Sequence, residues 1–129
     1  MIAQVSICTY SYFSSTSFSP PLEPPIFILQ PPDTDAPYGS TVLLTCIAYG
    51  DPIPSIDWLN DTSLIENTNG VMVFQDLVTD WEVSLSRSIL EVCSVDLSDE
   101  ANYSCVATNS VGEESVSISL TVFTEGRQD

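Results

Sequence analysis

Residue types that commonly carry chemistry are sparse in this chain of 129 residues, which has four cysteines and no histidine. Without an imidazole, no Ser-His-Asp or Cys-His arrangement can form, and no side chain titrates near neutral pH at its ordinary pKa. Aspartate and glutamate are plentiful, but no pair of carboxylates stands out from the rest of the sequence. We therefore expect no enzyme activity and no cofactor.

The cysteines are the most informative of the reactive residues. Cys8, Cys46, Cys93 and Cys105 lie far apart, so the chain lacks the closely spaced pairs that are typical of a zinc site, and no metal site is expected. Four thiols allow three complete sets of disulfides. Spacing alone does not choose among them.

Two N-x-[ST] sequons add a second kind of chemistry. They begin at Asn60 and Asn102, and both are N-glycosylation candidates that we expect to face solvent. Such triplets also occur by chance and can stay unused. Used sequons, together with a disulfide, would indicate an exported protein in an oxidising compartment.

Charge excludes several classes of partner. The chain carries 18 acidic and only two basic residues, for a net charge of -16. Nucleic acid and anionic membrane surfaces both require a basic footprint, so neither is an expected partner. The acidic residues are scattered, which favours a solvated surface over a dedicated site for basic partners or divalent cations. Apolar runs are also too short for direct membrane insertion.

Changes in amino-acid composition divide the chain into three parts. Residues 1–25 are rich in Pro and Ser and are predicted to be a linker or a leader remnant, although they make a poor signal peptide. Residues 26–124 hold short runs of β-forming residues separated by Gly, Pro, Asn and Asp, which predicts a single all-β domain. Residues 125–129 are predicted to be a second linker.

Period-two alternation predicts which side chains of each strand point inward. The stretch between Phe74 and Val83 is the least regular, and its strand boundaries are not predicted. The inward residues are expected to be Val42, Leu44, Cys46 and Ala48; Ile56 and Trp58; Leu90 and Val92; Ala101, Tyr103, Cys105 and Ala107; and Val116, Ile118, Leu120 and Val122.

Several motifs occur in one order along this domain. Trp58 lies between Cys46 and Cys105, an order that marks immunoglobulin domains. The segments 48–58 (A-x-G-x-P-x-P-x-I-x-W), 99–105 (D-x-A-x-Y-x-C) and 107–112 (A-x-N-x-x-G) add further matches. Together they resemble the I-set branch of the immunoglobulin superfamily over about residues 26–124.

This resemblance implies a two-sheet antiparallel immunoglobulin-like sandwich with Greek-key connections. It also implies a Cys46–Cys105 disulfide across the sheets, with Trp58 packed against it and Tyr103 forming a tyrosine corner in the core. A variable-type domain is disfavoured, because the segment between the two cysteines leaves little room for two added strands.

Residues outside these motifs keep several interpretations open. Cys8 and Cys93 could form a second disulfide, link to a neighbouring domain or chain, or stay as thiols. Phe74 and Trp81 could anchor a partner, since aromatic side chains anchor interfaces, but covering the edge of the core is the favoured interpretation.

The family resemblance also suggests a role. The I-set domains that this chain resembles occur in series in the ectodomains of receptors and adhesion proteins, so we expect an extracellular or cell-surface module. Its partners would be a protein ligand or a homophilic copy, with neighbouring immunoglobulin-like domains in a longer chain. The alternative is a structural spacer of a cytoskeletal or muscle-type array.

Overall fold

A computed structural model describes residues 21–68, 70–80 and 83–124 of the chain. Cys8, Trp81, residues 1–20 of the first predicted linker and the whole of the second lie outside these ranges. The strands along the described residues are β1 (Glu23–Leu29), β2 (Thr34–Pro37), β3 (Val42–Asp51), β4 (Ser55–Asn60), β5 (Ser63–Leu64), β6 (Val71–Asp80), β7 (Val83–Val92), β8 (Ala101–Thr108) and β9 (Glu113–Phe123).

The strands form two sheets. The first sheet has the order β1-β3-β7-β6, and the second has the order β2-β9-β8-β4-β5. All neighbours are antiparallel except β2 and β9, which run parallel. The predicted all-β immunoglobulin-like sandwich is confirmed.

Alternating side chains fill the space between the sheets, as the period-two pattern predicts. The inward residues of β3, including Leu44 and Cys46, are buried, and so are Ile118, Leu120 and Val122 of β9. The central strands β3, β7, β8 and β9 therefore each contribute one buried face to the core and turn the other face outward.

Two strands differ from the sequence prediction. β1 begins at Glu23, three residues before the predicted domain start, and includes Pro24 and Pro25. Proline is tolerated there because β1 is an edge strand of its sheet. β6 continues to Asp80 through the region that was hard to assign, pairing with β7 along its whole length.

The strand count also bears on the domain type. Among the described residues, only the two-residue strand β5 lies beyond β4 at that edge of the second sheet. The two added strands of a variable-type domain are therefore missing from the described residues, as the short cysteine spacing predicts.

Candidate protein-binding surface

A disulfide and a tryptophan fix the spacing of the two sheets. Cys46 on β3 and Cys105 on β8 are joined across the core, and their Cα atoms lie 6.7 Å apart. Trp58 on β4 pairs directly with Cys105 and is only 1 % exposed. The structure thus brings these three residues together at the centre of the sandwich.

Ser88 completes this centre and was not predicted from the sequence. It lies on β7 directly opposite Cys46, is fully buried, and accepts a hydrogen bond of 2.8 Å from the indole N–H of Trp58. A buried indole N–H requires a partner. The available signal was a serine at an inward position of a strand.

Tyr103 connects the second sheet to the turn before β8. Its hydroxyl donates to the carbonyl oxygen of Asp99 over 2.6 Å, which is the geometry of a tyrosine corner. Burial and, to a smaller extent, the nearby carboxylates of Asp99 and Asp61 raise the pKa of Tyr103 to about 12. The ring is 3 % exposed, so it belongs to the core.

Asn109 ties three segments at one end of the sandwich. Its Nδ2 donates to the carbonyl oxygens of Glu23 and Pro52, at 2.8 and 2.9 Å. Its Oδ1 accepts from the backbone N–H groups of Val111 and Gly112. The motif residue therefore holds the β8–β9 hairpin, the start of β1 and the β3–β4 turn in one arrangement.

The outer face of the first sheet carries apolar side chains from all four of its strands. Its outward residues lie side by side on all four strands, because paired residues in antiparallel strands share a face. Leu43 is 61 % exposed, Phe74 47 % and Met72 37 %. We call this surface the apolar face; its members are Ile26, Leu43, Ile47, Met72, Phe74 and Ile89.

Charge on the apolar face is low and partly neutralised. Arg87, the only basic residue in the described ranges, forms a bidentate ion pair with Asp76 on the neighbouring strand. The hydrogen bonds between them lower the pKa of Asp76 and raise the pKa of Arg87. Glu91 lies on the same strand and the same face as Arg87.

The outer face of the second sheet has the opposite character. Its side chains are mostly hydroxyl, amide and carboxyl groups, and Ser104 and Ser117 share a hydrogen bond of 2.6 Å. We call this surface the polar face; its members are Asp57, Asn102, Ser104, Ser115, Ser117 and Ser119.

The two sequon asparagines differ in exposure. Asn102 is exposed on the polar face, where it pairs with Ser119. Asn60 is half-buried at the end of β4 and lines a groove with Asp61, Leu64 and Tyr103. Asn102 therefore offers the more accessible side chain.

Of the remaining predicted residues, Cys93 and Phe74 fall within the described ranges and both lie outside the core. Cys93 is exposed just after β7, and within the described ranges it has no disulfide partner; Cys8 lies outside them. Phe74 differs from the favoured interpretation, since it does not cover the core edge but lies outward on β6 opposite Ile89. Trp81 lies outside the described residues.

Metal and membrane sites were also sought in the described part of the chain. There, no three Cys, Asp or Glu residues come together as metal ligands would. The helical structure of those residues is limited to a three-residue 3-10 turn, Leu97–Asp99, and none of it could cross a bilayer.

Comparison with known proteins agrees with this geometry. The Immunoglobulin I-set domain model matches residues 25–122. Protein sidekick-1 of Gallus gallus is 32 % identical over 91 % of the chain, and the cell adhesion molecule DSCAM of Homo sapiens is 37 % identical over 77 %. The chain spans only 5 % of the length of each relative. Among solved structures, titin domain M7 is 27 % identical, with a TM-score of 0.67 over 81 % of this chain and 99 % of that one.

Proposed function

Because the chain belongs to the immunoglobulin I-set family, we propose that it is an extracellular protein-binding module of a cell-surface receptor or cell-adhesion protein. Relatives named as cell adhesion molecules support this role. The proposal includes the absence of catalysis, in keeping with a chain that has no histidine. Fold alone does not assign a partner, so the argument depends on the surface.

The observation that carries the proposal is the exposure of the apolar face. The largest apolar patch on a typical monomer covers roughly 300–600 Å², and such a patch often marks an interaction site. Here Leu43 and Phe74 are each about half exposed or more on a sheet whose opposite side contributes Leu44, Cys46 and Leu90 to the buried core. A protein partner that covers this face would remove that surface from water.

The proposed module has its domain from Glu23, where β1 begins, to residue 124. Linkers before and after it, shortened at the first end from the predicted residues 1–25 and placed at residues 125–129 at the second, would join it to neighbouring immunoglobulin-like domains. In this setting we propose glycans at Asn102 and Asn60 and a second disulfide between Cys8 and Cys93. A glycan on Asn102 would cover the polar face and leave the apolar face accessible.

A cell-binding assay tests the proposal. The full chain is displayed on non-adherent cells through an unrelated membrane anchor, and these cells are mixed with each other and with untransfected cells of several tissues. We expect cells that display the chain to adhere in at least one of these mixtures, and Phe74→Ser to reduce adhesion. Absence of binding in every mixture, at verified surface expression, would contradict the proposed function.

A structural spacer is the second candidate, favoured by the similarity to titin domain M7. The two candidates differ in the state of the cysteines and the sequons. The mass of the native protein is measured with and without reductant: oxidised cysteines together with glycan mass exclude the spacer, whereas four thiols and no glycan support it.

A further inference from the structure

We propose that the apolar face is a self-association surface, on which a second copy of this chain packs face to face. The inference rests on the proposed function and names its partner and its geometry. Sheets that pack in this way lie about 10 Å apart with their strands nearly aligned. Three features of the face favour a second copy: its exposed area, its low charge and the order of its charged residues.

The exposed area is suited to a dimer of ordinary size. The four most exposed members, Ile26, Leu43, Met72 and Phe74, present on the order of 400 Å² if a fully exposed large side chain presents about 200 Å². A standard interface buries roughly 800 Å² per partner, a little over half of it apolar. The apolar face therefore supplies about the apolar share that such an interface contains.

Charge restricts where two copies can meet. Each copy carries a net charge of -16, so most approaches bring acidic surfaces together. The centre of the apolar face is different, because Arg87 offsets Asp76 and leaves Glu91 as the unbalanced charge there. The further outward carboxylate of β3, Asp51, lies at the end of that strand, paired with Glu23. Two copies that meet through this face keep most of their acidic groups away from the contact.

Strand register then selects one arrangement. Ile89 lies midway between Arg87 and Glu91 on β7. A two-fold axis that runs across the strands through Ile89 would place Glu91 of each copy over the partner's Arg87. The same rotation would place Leu43, which pairs with Glu91, over the partner's Ile47, which pairs with Arg87. Leu43 then meets Ile47 and Phe74 meets the Phe74 of the second copy, whereas Met72, which pairs with Glu91, comes over the second copy's Asp76, which pairs with Arg87. Each arginine gains a second carboxylate, which its five donors can accommodate.

Sedimentation equilibrium of the full, oxidised and glycosylated chain tests the surface. We expect a reversible monomer–dimer equilibrium in which Phe74→Ser weakens the dimer by at least about tenfold, as loss of a central aromatic anchor does. Phe123→Ser is the matched control, since Phe123 is 44 % exposed against 47 % for Phe74 and lies on the second sheet. Thermal unfolding checks that both variants fold.

A charge-swap mixture tests the arrangement. Arg87→Glu alone and Glu91→Arg alone each place like charges in contact, and we expect each to weaken its own dimer. In a mixture of the two variants, both contacts become attractive, so a heterodimer is expected with an affinity near that of the unmodified chain. A partner other than a second copy would not produce this rescue.

Each outcome has a definite reading. A chain that stays monomeric at all concentrations, or a dimer that Phe74→Ser leaves unchanged, overturns the inference. Weakening by both charge variants without rescue in the mixture overturns the two-fold arrangement. If the chain is monomeric while displaying cells still bind untransfected cells, the proposed function stands and only self-association fails.

Discussion

Burial forces the indole of Trp58 to find a partner, and Ser88 supplies it. Because both residues are at most 1 % exposed, Ser88→Ala leaves the indole N–H without an acceptor inside the core. We expect a loss of about 1–3 kcal/mol in the free energy of unfolding. Urea denaturation measures it, with the exposed Ser117→Ala as the control. Equal stability of the two variants would contradict this assignment.

Tyr103 makes stability depend on pH at the alkaline end. Its pKa is about 12 in the folded protein, against about 10 for an unfolded chain. A phenol whose folded pKa is raised contributes stability fully below pH 10, and this contribution is lost as pH rises from about 10 to about 12. We expect the free energy of unfolding to fall over this window, measured by urea unfolding at fixed pH.

Tyr103→Phe is the matching variant for this pH dependence. It removes the titrating group together with the 2.6 Å hydrogen bond to Asp99, so it should be less stable at neutral pH by about 1 kcal/mol. Its stability should then fall less between pH 10 and pH 12 than that of the unmodified chain. Parallel pH curves for the two proteins would assign the alkaline loss to other groups.

Burial could be predicted from the sequence for residues that follow the period-two alternation. Cys46, Trp58 and Leu120 each sit at an inward position flanked by outward neighbours, so their burial followed from the sequence. The role of Ser88 did not follow from the sequence. Alternation marks its position as inward but does not show that a polar side chain there has a hydrogen-bond partner on another strand. The favoured interpretation of Phe74 as a cover of the core edge was wrong for a related reason: an aromatic residue in a strand can face either side of the sheet.

Strands were predictable where both of their ends lie over the core. The far half of β6 does not lie over the core. Leu77 in this half lines the groove beside β4 and is 57 % exposed. Because its inward side chains are exposed, this half of the strand shows no period-two pattern in the sequence. What holds this half is pairing with β7 and a hydrogen bond from the Gln75 side chain to the Ile56 carbonyl oxygen, neither of which leaves a sequence pattern.

The start of β1 depends on a side chain 86 residues away, Asn109. Asn109→Asp keeps an oxygen for the N–H groups of Val111 and Gly112 but replaces the amide donor that faces the Glu23 and Pro52 carbonyls. Oxygen against oxygen is repulsive there, so we expect a loss of about 1–3 kcal/mol.

Hydrogen exchange locates this effect on the element. Amides of β1 should exchange faster in Asn109→Asp, whereas those of β7 should change less. Asn67→Asp serves as the control, since Asn67 uses its Oδ1 to accept from the Val73 N–H and an aspartate keeps that acceptor. Equal exchange of β1 in both variants would show that Asn109 does not hold this strand.

At the scale of the whole molecule, the two sheets divide the surface between water and a partner. The polar face is rich in serine and carries Asn102, whereas the apolar face has no sequon. The assignment of outward residues to faces followed from alternation, but the contrast between faces did not, because it requires knowing which strands share a sheet. Strand order brings Leu43, Ile89 and Phe74 onto one surface from distant parts of the chain.

Glycosylation should follow this division. In a secretory host, we expect occupancy at Asn102 to exceed occupancy at Asn60, because Asn102 is exposed on an outward face and Asn60 is half-buried in a groove. Peptide mass spectrometry after enzymatic deglycosylation measures each site, and Asn102→Gln and Asn60→Gln serve as matched variants. Since Asn102 lies on the sheet opposite the apolar face, Asn102→Gln should leave the dimer affinity within about twofold, as expected for distant independent sites. A dimer that becomes tighter when this glycan is removed would instead place the contact on the second sheet, which the glycan otherwise covers.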